Sequence, residues 1–163
     1  MLKRLVIASV TLYAAIAPVF AENLAVPAKN PIATLTIPDS WKLANIDFGY
    51  RAESPDGDVY FFVEYASAAR IDKLFATNDE WMKENKIKPK GKAEEKEIEI
   101  GGLPARVFTY EATDENGDTL IDFVVIPGSK GRTILLTLWG SEEERETNQT
   151  DIMAIQKSLK AIN

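Results

Sequence analysis

The chain has 163 residues, 19 of them basic and 25 acidic, and it contains neither cysteine nor histidine. That composition excludes disulfide cross-links, thiolate nucleophiles, histidine-activated hydrolysis and the usual zinc and copper ligand sets. The formal charge of −6 disfavours nucleic acid and anionic lipid head groups and favours cationic partners.

Residues 1–21 read as a secretory signal peptide: Lys3 and Arg4, an apolar run to Ala17, then Val19-Phe20-Ala21 ahead of Glu22. The run is too short for a helix to cross a hydrocarbon core about 30 Å thick, and a cut after Ala21 avoids the Pro18 that would follow an earlier one. Export then leaves 142 of the 163 residues, with Lys3 and Arg4 gone, 17 basic against 25 acidic groups and a formal charge of −8. That length makes one domain. With no cysteine to carry a lipid and no later long apolar run, the expected product is a soluble periplasmic protein, full secretion being the alternative.

Residues 22–31, with Pro27 and Pro31, are expected to form a loosely ordered arm. A β-branched strand at 32–37 follows, stopped by Pro38-Asp39-Ser40, with Trp41 on the turn. A second strand spans 48–53, a turn Ser54-Pro55-Asp56-Gly57, and a third strand 59–65, apolar on both faces and so covered on both sides. From Ile71 the period becomes helical, with Leu74, Phe75, Trp81 and Met82 on one face and Asn78 interrupting it. This pattern fits one amphipathic helix or two: Thr77 to Glu80 has the pattern of a capping box, which would confine the main helix to 78–87, ended by Pro89.

Residues 92–100 alternate Ile98 and Ile100 with Glu95, Glu97 and Glu99, the pattern of an edge strand protected by charge. Gly101-Gly102 turns the chain into strands at 105–112 and 119–126, joined through Asn116-Gly117, a strong hairpin signal. After a turn at 127–131, residues 132–139 are apolar on both faces, which places Leu136 and Leu138 in a central strand beneath both helices. The tail at 142–162 puts Ile152, Ile155, Leu159 and Ile162 on one helical stripe, with Ser141 to Glu144 and Asn148 to Asp151 as alternative starts.

The order βββαββββα, the Pro38-Asp39-Ser40-Trp41 segment, the Ser54-Pro55-Asp56-Gly57 turn and Gly101-Gly102-Leu103-Pro104-Ala105 together resemble the PsbP-like α/β/α sandwich family, which includes bacterial DcrB-type envelope proteins. The resemblance covers residues 32–163 as a single domain. It implies an α+β fold, a twisted antiparallel sheet of about seven strands flanked by helices, and an accessory or binding role. Without a histidine, no histidine-dependent metal role can be carried over.

Carboxylate chemistry needs two acids at a fixed separation. Asp56 with Asp58, and Asp122 with Glu111, are the pairs to consider, and turn or solvent-facing roles account for both. Asp114-x-Asn116-x-Asp118 superficially matches a calcium loop, but Gly117 is misplaced and Val125 stands where the bidentate acid belongs. No catalytic, cofactor or metal residue is therefore assigned. The expected function is a non-enzymatic periplasmic binding protein that meets an envelope protein partner. Its alternative is a carrier or sensor of a small apolar ligand or a cation. Trp41, lifted out of the ladder by the turn before it, is the candidate binding residue. An apolar cavity would favour the ligand carrier, and a flat apolar patch the protein partner.

Overall fold

The computed structural model describes residues 21–162, so the expected leader lies outside the described residues except for Ala21. Two antiparallel sheets form. The smaller joins β1 (Ala21–Val26), β2 (Ala33–Pro38) and β11 (Lys160–Ala161), with β2 in the middle. The larger has eight strands. Its order runs β3 (Lys42–Ile46), β4 (Gly49–Glu53), β5 (Tyr60–Ser67), β10 (Arg132–Gly140), β9 (Asp118–Pro127) and β8 (Leu103–Thr113). Beyond β8, its two ends pair separately with β7 (Glu94–Ile100) and the short β6 (Lys88–Pro89). Three α-helices complete the described residues, α1 (Ile71–Glu84), α2 (Glu142–Thr147) and α3 (Gln149–Ser158). The architecture is the expected antiparallel α+β sandwich.

Because successive strand residues point to opposite faces, β10 sorts the core. Ile134, Leu136 and Leu138 join the small sheet and α3, packing with Phe61 and Val63 of β5, Val124 and Ile126 of β9, and Ile152, Ile155 and Leu159. Leu135 and Trp139 face α1 instead. There Leu135 packs with Phe48, Ala66 and Leu74, and Trp139 packs beside Trp81, Ile121 and Ala112. Leu136 and Leu138 thus lie in a central strand, but under the α3 side only.

Several local expectations change. The arm is a strand over Ala21–Val26, because Leu24 and Val26 are buried in the α3-side core and β1 pairs along all of β2. Pro27 and Pro31 are confined to the turn between them. Lys42–Ile46 is an additional strand, closed onto β4 by a two-residue turn at Asp47-Phe48. Helix α1 starts at Ile71 and not at Asn78. Thr77 is in its interior, where its hydroxyl donates to the Lys73 carbonyl at 3.0 Å, and the backbone turns off at Asn85 and Lys86, the latter at φ 56°. The tail is two helices rather than one. Ser141 and Glu144 form the reciprocal cap of α2, and Asn148, non-helical, separates it from α3.

The turn residues behave as their chemistry requires. Gly101 and Gly102 both take positive φ, 60° and 77°, as a tight hairpin demands, and a side chain on Gly101 would strike the Leu159 carbonyl 2.2 Å away. The Asp114 carboxylate receives the amides of Asn116 at 2.7 Å and Gly117 at 3.2 Å, which holds the β8–β9 hairpin as an Asx turn.

Candidate functional site

One member of each acidic pair, Asp56 and Asp122, makes structural hydrogen bonds. Asp56 accepts hydrogen bonds from the Ser54 hydroxyl, from the Asn148 amide at 2.9 Å and from the Asp58 backbone at 3.2 Å. The Ser54 bond, then the Asn148 bond, hold its carboxyl below the ordinary value. It ties the β4–β5 loop to the α2–α3 junction. Asp122 is bound by Arg145 at 2.6 Å and by the Thr109 hydroxyl at 2.6 Å. Arg145 also donates to the carbonyls of Gly140, Leu120 and Leu138, and its burial pushes its pKa down. This fork pins α2 to the ends of β9 and β10, and Glu111 is exposed outside it. Among the described residues, no three acidic side chains converge where a metal ion could sit.

Trp41 is buried, at 4% exposure, in the α3-side core. Its indole Nε1–H donates to Asp151 Oδ2 at 3.0 Å. The turn before it does not lift it into solvent; it folds the ring under α3. The expectation of an exposed binding tryptophan is therefore overturned, since both the ring and its polar atom are already occupied.

Each face carries an apolar groove beside a helix. The α3-side groove, about 380 Å³, lies between α3 and β7–β10 and is lined by Phe61, Ile98, Ile100, Val124, Leu136 and Leu138, with Asp122 among its polar groups. That carboxylate is already satisfied by Arg145 and Thr109. The α1-side groove, about 420 Å³, differs in chemistry: its floor is Phe108 and Tyr110 of β8 with Phe123 and Val125 of β9, and its wall is Phe75, Asn78, Asp79 and Met82 of α1.

Local sequence builds this second site. In the β8–β9 register Phe108 stands opposite Phe123 and Arg106 opposite Val125, so their side chains share one face. The Tyr110 and Phe123 rings meet edge to face, with centroids 6.1 Å apart at 80°. On α1, positions 75, 78, 79 and 82 form one stripe at helical spacing. Leu74, fully buried, and Trp81 hold the helix down; Trp81 meets Phe62 at 4.8 Å and Trp139 at 5.5 Å, both edge to face. Phe75, 42% exposed, stays on the lip.

Asn78 is 6% exposed and is joined from behind by Glu64, 2% exposed, on β5. The Asn78 amide donates to Glu64 Oε2 at 3.0 Å and to the Leu74 carbonyl at 3.1 Å. Loss of hydration on burial pushes the Glu64 carboxyl up to about 7, against which the Asn78 bond is the smaller effect. Sequence reasoning did not single out this pair. Its signal was present all the same: Asn78 breaks an apolar helix face, and Glu64 breaks the strand Val59-Tyr60-Phe61-Phe62-Val63-Glu64-Tyr65.

No protein-family profile matches this chain, and no curated protein sequence does. Solved structures do resemble it. The solution structure of cyanobacterial PsbP (CyanoP) from Synechocystis sp. PCC 6803 aligns over 93% of this chain and 98% of its own, with TM-score 0.53 and 10% identity. The crystal structure of LpqN, described as involved in cell envelope biogenesis of Mycobacterium tuberculosis, aligns over 90% of this chain and 93% of its own, with TM-score 0.54 and 14% identity. At such identities the likeness is one of fold, and the fold is PsbP-like.

Proposed function

We propose that this protein is a non-enzymatic accessory protein of the bacterial cell envelope, exported to the periplasm, and that it holds a small apolar molecule in the groove beside α1. The observation that carries this reading is the groove's lining: aromatic and aliphatic side chains around a volume of about 420 Å³, with one buried polar residue, Asn78, in the wall. Small-molecule sites have that size and that sparse polarity. Of the two expectations from sequence, a concave apolar groove favours the ligand carrier over a flat protein-docking patch. The envelope setting is supported by the leader-like N-terminus and by the fold shared with LpqN. The absence of histidine and cysteine from the whole chain supports binding over catalysis.

The test uses the neutral fluorescent probe N-phenyl-1-naphthylamine. Phe75 and Met153 are each 42% exposed, on the α1 and α3 sides respectively, so neither substitution removes a core side chain. Phe75→Glu should weaken probe binding at least tenfold, while Met153→Glu leaves it unchanged. Equal binding by both variants and the parent protein would defeat the reading.

A further inference from the structure

Resting on the binding role of the α1 groove, we propose that its occupant is an uncharged or cationic aromatic ring bearing a hydrogen-bond donor, of the phenol, indole or arylamine type, whose O–H or N–H is received by Asn78 Oδ1. The orientation of the Asn78 carboxamide is settled by its neighbours. A backbone carbonyl can only accept, so the Leu74 carbonyl, 3.1 Å away, requires the nitrogen on its side. The second amide hydrogen goes to Glu64 Oε2. Both donors are then committed, and the side-chain oxygen, which receives no hydrogen bond from the described residues, is left open to solvent.

That oxygen belongs to a residue 94% removed from solvent that forms part of the groove wall. An acceptor that reaches the groove bonds water when the groove is empty, and a ligand carrying a donor takes that water's place. The rest of the lining selects the body of the ligand. Phe108, Tyr110 and Phe123 offer ring faces and edges, and Phe75 and Met82 close over them from the helix. Charge selects further: Asp79 stands in the wall and Glu64 directly behind Asn78. A carboxylate or sulfonate would meet one exposed and one buried acid, whereas a neutral or cationic donor would not.

The decisive measurement is calorimetric titration of the intact protein with 2-naphthol and with 2-methoxynaphthalene, which keeps the ring and removes the donor. Binding of 2-naphthol about tenfold tighter is expected, the difference one hydrogen bond makes. At saturation the side-chain NH₂ resonances of Asn78 in a ¹⁵N–¹H correlation spectrum should move farther with 2-naphthol than with its methyl ether, whose ring alone shifts them. Asn78→Leu should abolish the preference. Should that variant fail to fold, the resonance shifts in the unsubstituted protein decide. Equal affinities that are both lost in Phe75→Glu would overturn the donor assignment while leaving the groove as the site. Binding of neither compound would overturn the groove itself.

Discussion

The two faces of β10 are built on different terms. Toward α3, Ile134, Leu136 and Leu138 sink into a core covered by a helix and a three-stranded sheet together, with a groove of about 380 Å³ left beside α3. Toward α1, Leu135, Thr137 and Trp139 meet a single helix, and on this face lie a buried carboxyl, a buried amide and three polar atoms, Thr119 Oγ1, Thr137 Oγ1 and Trp139 Nε1, with no hydrogen-bond partner. Width explains the contrast. Strands sit about 4.8 Å apart, so one helix about 10 Å across covers roughly two of them, and an eight-stranded sheet needs more. Helix α1 covers β5 and β10 and leaves the aromatic side chains of β8 and β9 as an open groove. The more closed face holds most of the buried core, and the more open face holds the aromatic groove.

The largest effect should come from breaking the closed face. Trp41→Ala removes a ring that is 4% exposed in the α3-side core and strips Asp151 of its 3.0 Å indole donor. Loss of a buried aromatic ring costs about 3–5 kcal/mol, a large part of the 5–15 kcal/mol that holds an ordinary domain together. Urea denaturation should show a large fall in midpoint. A fall of less than about 1 kcal/mol would show that the α3 side is not the principal core.

An intermediate effect belongs to the open face and depends on pH. Glu64 binds its proton more tightly when folded, at about 7, than at the ordinary 4.5 of an unfolded carboxyl. The folded state therefore holds the extra proton between those values. The contribution is fully present below 4.5 and is lost as pH rises through about 7, on the order of 3 kcal/mol in total. No lysine or arginine among the described residues pairs with Glu64 to offset this. Glu64→Gln, which keeps an acceptor for the Asn78 amide, should flatten the decline in melting temperature between pH 5 and 8 and stabilise the protein at pH 8. An identical slope in the two proteins would show that Glu64 does not titrate in this range.

Sequence patterning revealed the frame because the frame is made of period and turn chemistry. Runs apolar on both faces located β5 and β10, alternation located β7, Asn116-Gly117 and Gly101-Gly102 located the hairpins of β8 and β9, and Ser141 with Glu144 located the start of α2. What escaped it depends on tertiary placement. Lys42–Ile46 has little strand character of its own and is a strand because β4 pairs with it. Thr77 and Glu80 carry the letters of a helix cap, yet packing of Leu74 beneath the preceding turn carries the helix straight through them. The groove was hidden for a similar reason. Phe75, Asn78 and Met82 are far in sequence from Phe108 and Phe123, and only the width of the sheet beyond α1 leaves them facing an open space.

The smallest effect tests whether the open face carries an uncompensated polar group. Thr137 is 1% exposed and its hydroxyl has no partner, while its neighbours along β10, Leu136 and Leu138, are packed without polar atoms. Valine has nearly the same shape and the same preference for a strand, so Thr137→Val removes the buried hydroxyl and changes little else. The substitution should stabilise the protein by about 1 kcal/mol, a rise of roughly 2–4 °C in melting temperature for a chain of this size, with an unchanged urea slope. A loss of similar size would mean that the hydroxyl is bonded to an internal water, since a buried water typically makes about three hydrogen bonds and is costly to remove. The polar atoms beneath α1 would then be a hydrated network and not isolated defects, and the α1 face would match the α3 face in satisfaction while still differing from it in coverage.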